Sequence, residues 1–86
     1  LKSIHDPRYV EMLGRLRLAR EGQGVGQREL GARLGRPQSY ISKIETGERR
    51  VDLVEVLDMC RALNIQFQTV VPADLRSTLE AGTDGP

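Results

Sequence analysis

Gln38, Ser39, Ser42 and Lys43 are the polar residues whose types and spacing could do chemistry together. A glutamine amide holds a donor and an acceptor side by side, and that pair fits N6 and N7 of adenine. A lysine ammonium reaches O6 or N7 of guanine, and a serine hydroxyl discriminates less. Arg36 and Arg49 bracket the segment, and a guanidinium suits phosphate oxygens. Tyr40 and Ser42 flank the polar set; Tyr40 can touch phosphate or sugar, or pack on a thymine methyl. This is hydrogen-bonding chemistry, without bond breaking. No acid–base pair or activated nucleophile accompanies it. His5 and Cys60, the only histidine and cysteine, are too far apart in sequence to start a metal site. Cys60 is expected as a small buried thiol on an apolar helix face. Gly22-x-Gly24-x-Gly26 lacks the spacing and the lysine of a phosphate loop, so it reads as a turn. Neither an enzyme nor a cofactor is expected.

The polar set must be held by helices. Leu30 and Leu34 lie one turn apart, as do Ile41 and Ile44 less tightly, so each short segment carries one apolar stripe. Gly35 stops the first segment, and Pro37 has the backbone angle that the first turn of the next one needs. Gly31 stands where two helices must cross closely, and Gly47 closes the second. Helices are expected over 27–34 and 37–46, with Gln38, Ser39, Ser42 and Lys43 off the buried stripe. That layout is a helix-turn-helix, whose second helix enters the major groove of DNA. Asp6-Pro7 starts an earlier helix reaching about Glu21, buried through Val10, Leu13 and Leu16, with Tyr9 and Met12 beside them. Asp52 and Glu55 form a capping box for a later one, with Leu53, Val56, Leu57, Cys60 and Leu63 on its core face.

These motifs resemble the Cro/lambda-repressor-like, or XRE-type, helix-turn-helix family. The likeness runs from about Leu13 to Leu63. It is carried by L-R-x-x-R at Leu16, Arg17 and Arg20, by G-V-G-Q at 24–27, by Q-S-Y-I-S-K-I-E-x-G, and by L-x-x-V-L-x-x-C-R-A-L. Gly26 replaces the usual Ser or Thr cap, and Arg36 replaces a frequently apolar turn residue. The resemblance implies that Gln38, Ser39 and Lys43 read bases. It implies that Gln27 donates to a phosphate and braces Gln38, beside backbone contacts from Arg36, Tyr40, Ser42 and Arg49. Arg50 and Arg17 are weaker candidates. It further implies an ion pair between Arg20 and Glu45 that ties the first helix to the end of the recognition helix.

Eighty-six residues with three aromatics allow one small aliphatic core. No apolar run approaches the ~18 residues of a membrane span, and nothing resembles a signal peptide, so a cytoplasmic protein is expected. The net charge of +1 conceals an asymmetry. Residues 15–50 carry nine Arg/Lys against four acids, whereas residues 51–86 carry two against six. A basic face with an acidic opposite end orients a protein on a polyanion.

After Asn64 the pattern changes. Ile65, Phe67, Thr69 and Val71 alternate with Gln66, Gln68 and Val70, which reads as a strand ended by Pro72. A lone strand cannot satisfy its backbone, so it would pair with the same segment of a second copy. The expected fold is all-α, a small bundle of four to five helices, organised as a helix-turn-helix DNA-binding domain at 1–64, a dimerisation strand and short helix at 65–81, and a disordered tail at 82–86. The dimer interface is assigned to Ile65, Phe67, Thr69 and Val71. The expected function is a dimeric, sequence-specific repressor of its own operon, bound to a roughly palindromic DNA site. Without room for a sensing domain, its regulation would come from concentration, proteolysis or a partner protein. An antitoxin with its toxin, a phage-type repressor and a restriction–modification controller all fit, and the C-terminal strand resembles that of antitoxin-type members. The alternative is a protein-interaction adaptor that keeps the fold without binding DNA.

Overall fold

The computed structural model describes residues 5–81. The frayed start expected at 1–4 and the tail expected at 82–86 lie outside these residues. Five helices follow in order: α1 (Pro7–Gly22), α2 (Gln27–Arg33), α3 (Gln38–Glu45), α4 (Leu53–Leu63) and α5 (Arg76–Ala81).

Each boundary has a local cause. The Asp6 side chain accepts from the Arg8 N–H at 2.8 Å and caps α1, with Pro7 where its missing N–H costs nothing. Gly24, at φ 71°, turns the chain from α1 toward α2. Gly26 precedes α2 without a side-chain cap, as its missing hydroxyl dictates. At α4 both halves of the capping box form: Asp52 accepts from the Glu55 N–H at 2.8 Å, and Glu55 from the Asp52 N–H at 3.0 Å.

The α2–α3 turn is tight because Gly31 has no side chain. The Arg36 N–H donates to the Gly31 carbonyl at 2.8 Å. A Cβ on Gly31 would lie 2.7 Å from the Arg36 carbonyl oxygen and 3.1 Å from that of Pro37. Those are backbone atoms, so the turn itself would have to open. Gly35, at φ 69°, makes the reversal.

Leu13 and Leu16 of α1, Leu30 of α2, Ile41 and Ile44 of α3, and Val56, Met59 and Leu63 of α4 close one aliphatic core. Tyr9 packs on its edge, and its hydroxyl accepts from the Val51 N–H at 3.0 Å, tying α1 to the loop before α4. Gln23 and Arg33 donate to the Leu63 and Ala62 carbonyls, satisfying two groups that the end of α4 leaves open.

The expected core faces need two corrections. Val10 stays 54% exposed, because α1 turns Leu13, Leu16 and Arg20 inward. On α4 the inward stripe is Val56, Met59, Cys60 and Leu63, so Leu53 and Leu57 lie on the flank, 61% and 42% exposed. With Val54 at 65% they form an accessible apolar patch.

The segment 65–71 is a third correction. There is no strand among the described residues. Phe67–Thr69 form a 3₁₀ turn, with the Thr69 N–H on Gln66 O at 3.1 Å and the Val70 N–H on Phe67 O at 3.0 Å. Phe67, Val70 and Val71 have i, i+3, i+4 spacing, and the core takes that spacing over the alternation. Phe67 packs against the core, and Val70 and Val71 are buried in their own chain. The backbone groups that would have demanded a second strand are thus partly satisfied within the segment. The short helix expected after Pro72 begins as a 3₁₀ turn at Ala73–Leu75 and continues as α5.

Candidate nucleic-acid interface

Helix α3 buries Tyr40, Ile41 and Ile44 and leaves Gln38, Ser39 and Lys43 exposed. Ser39 and Lys43 are four residues apart and therefore neighbours on one face. Gln38 opens the helix beside them, and Ser42 is half-buried at its flank. The base-reading candidates thus share one accessible surface.

Behind them runs a hydrogen-bond relay. Arg20 Nε and Nη2 donate to the two Glu45 oxygens at 2.6 and 2.9 Å, while Arg20 Nη1 donates to Val25 O at 2.8 Å. The two side chains of the pair are only 7% and 5% exposed. Gln27 Nε2 donates to Glu45 Oε1 at 2.9 Å, and Gln38 Nε2 donates to Gln27 Oε1 at 3.2 Å. The direction of this relay follows from chemistry. An ionised carboxylate only accepts, so Gln27 must turn its NH₂ toward Glu45 and its oxygen toward Gln38. Gln38 then spends one N–H inward, and its oxygen and second N–H remain for a ligand. That donor–acceptor pair is what adenine requires.

Burial opposes the charge on Glu45, but hydrogen bonds from Arg20 and Gln27 and the nearby guanidinium charges outweigh it. Its carboxyl is held below the usual range. Arg17 pairs with Glu21 at 3.0 Å and lies 3.9 Å from Glu45, so it backs the relay from outside.

Tyr40 sits deeper than its polar neighbours on α3. It is 8% exposed, with the guanidinium carbons of Arg36 and Arg49 at 4.6 and 4.7 Å from its ring centroid. Burial and the nearby Glu55 carboxylate push its phenol up, against the two arginines. Tyr40 therefore acts first as a platform for those cations. Arg36 has no ion pair among the described residues, whereas Arg49 is forked onto Glu55 at 3.2 and 3.0 Å. That fork spans six residues across a loop, and no helical period could have shown it.

The remaining chemistry-bearing residues stand apart. Cys60 is buried, and burial pushes its thiol up and away from reactivity. No group of three metal-ligating side chains occurs among the described residues, and none of their helices is long and apolar enough to cross a membrane.

A short helix packed at a glycine crossing against a second one, which presents a polar face beside a basic rim, defines a helix-turn-helix protein. Residues 11–77 match the model of a helix-turn-helix domain family. The chain belongs to that family and is of the XRE type. It is 45% identical to an XRE-family like protein from Pseudomonas syringae pv. tomato, with a TM-score of 0.73 and coverage of 95% of this chain and 96% of that one. The restriction-modification controller protein C.AhdI from Aeromonas hydrophila is 31% identical, with a TM-score of 0.70 and coverage of 81% and 99%. An uncharacterized HTH-type transcriptional regulator from Sinorhizobium fredii is 40% identical over 72 residues. That match takes in 79% of this chain but 36% of the relative, so the chain spans little more than a third of that protein's length.

Proposed function

We propose that the chain is a sequence-specific DNA-binding transcription regulator. The observation that carries this reading is the relay from Arg20 through Glu45 and Gln27 to Gln38. It orients an exposed amide at the start of the recognition helix, beside Ser39 and Lys43. Helix α3 would lie in the major groove with Gln38, Ser39 and Lys43 toward the base edges. Gln27, Ser42, Arg36 and Arg49 would meet phosphates at its margins, and these contacts would set register without reading sequence. The likeness to a transcriptional regulator and to a restriction-modification controller supports the same reading.

The chain would act as a homodimer that represses its own operon. Two copies related by a two-fold axis present two recognition helices to a roughly palindromic operator, with half-sites about 34 Å apart. Of the residues assigned to the shared surface, Val71 is buried in its own chain. Ile65 and Phe67 remain half-accessible and Thr69 exposed. The patch of Leu53, Val54 and Leu57 supplies the larger apolar area.

Salt dependence tests the phosphate contacts. In an anisotropy titration with a duplex from upstream of the gene, log K should fall linearly with log salt, by about 0.9 for each phosphate neutralised. Arg36→Gln should shallow that line by one such step per protomer. A flat line between low and moderate salt would contradict the assignment of Arg36 and Arg49, and absence of binding would favour the adaptor alternative.

A further inference from the structure

Glu55 has more to do than cap α4. Its carboxylate accepts from Arg49 Nη1 and Nη2 as well as from the Asp52 N–H. The second oxygen partner of Arg49 Nη1 is the Arg50 carbonyl at 2.8 Å. A guanidinium has five N–H groups, and these bonds use three of them. What remains is the Nε–H and one Nη2–H, which point from the same edge of the plane. That edge is the fork that takes two oxygens of one phosphate. The plane itself lies over Tyr40 of the recognition helix. Arg49 is thus fixed by its end, by the neighbouring carbonyl and by its face, with one bidentate edge left over. Glu55 can impose this because the capping box already fixes it, and its side chain is only 18% exposed.

We infer that Glu55 is a positioning residue for DNA binding, which holds Arg49 so that its open edge meets a backbone phosphate. The inference rests on the DNA-binding reading above. It runs against simple electrostatics, in which an acid beside a DNA-facing surface repels the polyanion and its removal tightens binding. Preorganisation predicts the opposite sign. A long arginine released from Glu55 must be ordered again each time DNA binds.

The test compares Glu55→Gln with Asp58→Asn in the full chain. Both remove one negative charge from α4. Glutamine is also accepted in a capping box, so the helix start is kept. Asp58 is exposed and has no ion pair among the described residues. Binding to the upstream duplex is titrated across salt, with helical content checked by circular dichroism at the same temperature. Glu55→Gln is expected to weaken binding about tenfold, the order of the cost of immobilising one long side chain, with the salt slope kept because the Arg49 contact still forms. Asp58→Asn is expected to leave binding unchanged or slightly tighter. In an Arg49→Gln background the Glu55→Gln loss should vanish, a result that a purely structural role for Glu55 would not give. Tighter binding by Glu55→Gln, or a loss that persists without Arg49, overturns the inference while DNA binding by the wild type stands. A wild type that binds no DNA overturns the functional reading and the positioning role together.

Discussion

Replacing Arg20 by Met is expected to cost the fold about 3–5 kcal/mol, the penalty for leaving a buried charge without its partner. That is a large share of what a domain of this size has to lose. The variant strands the Glu45 carboxylate, which is 5% exposed, with the Gln27 amide as its remaining close donor. It also removes the side-chain donor that Arg20 gives to Val25 O. Replacing Glu45 by Met in turn strands the guanidinium. The double replacement removes both charges and should be less destabilised than the sum of the single ones, which urea denaturation of all four proteins would measure. Additive losses would show that the pair is not coupled. The pH dependence should change sign as well. In the wild type the Glu45 carboxyl is held low, so its contribution is present above the usual carboxylate range and lost as pH falls through its folded pKa. In Arg20→Met, burial is no longer outweighed and the folded pKa rises. That protein should gain stability as pH falls through the carboxylate range.

The second large effect concerns assembly. Leu53→Glu with Leu57→Glu should convert a dimer to monomers and lower operator affinity by about 100-fold or more, because two linked contacts become one. The variant is chosen for its small effect on the fold. Both leucines point away from the core, and a glutamate in the first turn of α4 agrees with the helix dipole. Phe67→Asp would be a poorer probe, because Phe67 packs against the core of its own chain. Sedimentation velocity at micromolar concentration distinguishes the outcomes. A monomeric wild type, or a double variant that still dimerises and binds equally well, would contradict the proposed surface.

The helix-turn-helix was legible because its determinants are local. Gly31, Gly35 and the stripes of Leu30, Ile41 and Ile44 specify two short helices and a turn whatever surrounds them. The polar face followed once those stripes were assigned. The register of α4 was less legible, because apolar residues at 53, 54, 56, 57, 59, 60 and 63 admit two stripes. Packing against α1 and α2 chose the one that contains Met59. Residues 65–71 misled for a related reason. They alternate, yet they also carry 67, 70 and 71 at helical spacing, and burial of Val70 decided between the two. The ion pair was suggested by family resemblance alone. The grip of Glu55 on Arg49 depends on the path of a loop, for which no periodicity exists.

On the proposed reading, the exposed face of α3 reads DNA sequence, with Gln38 oriented for it. Selection of bound duplexes from a fully randomised pool, by the wild type and by Gln38→Ala in parallel, tests this most directly. The wild type should enrich a two-fold symmetric site, and Gln38→Ala should lose preference at one or two symmetric pairs of positions, at a cost of about 1–3 kcal/mol on the wild-type site and little on random DNA. No enrichment by the wild type, or an unchanged preference in Gln38→Ala, would contradict it.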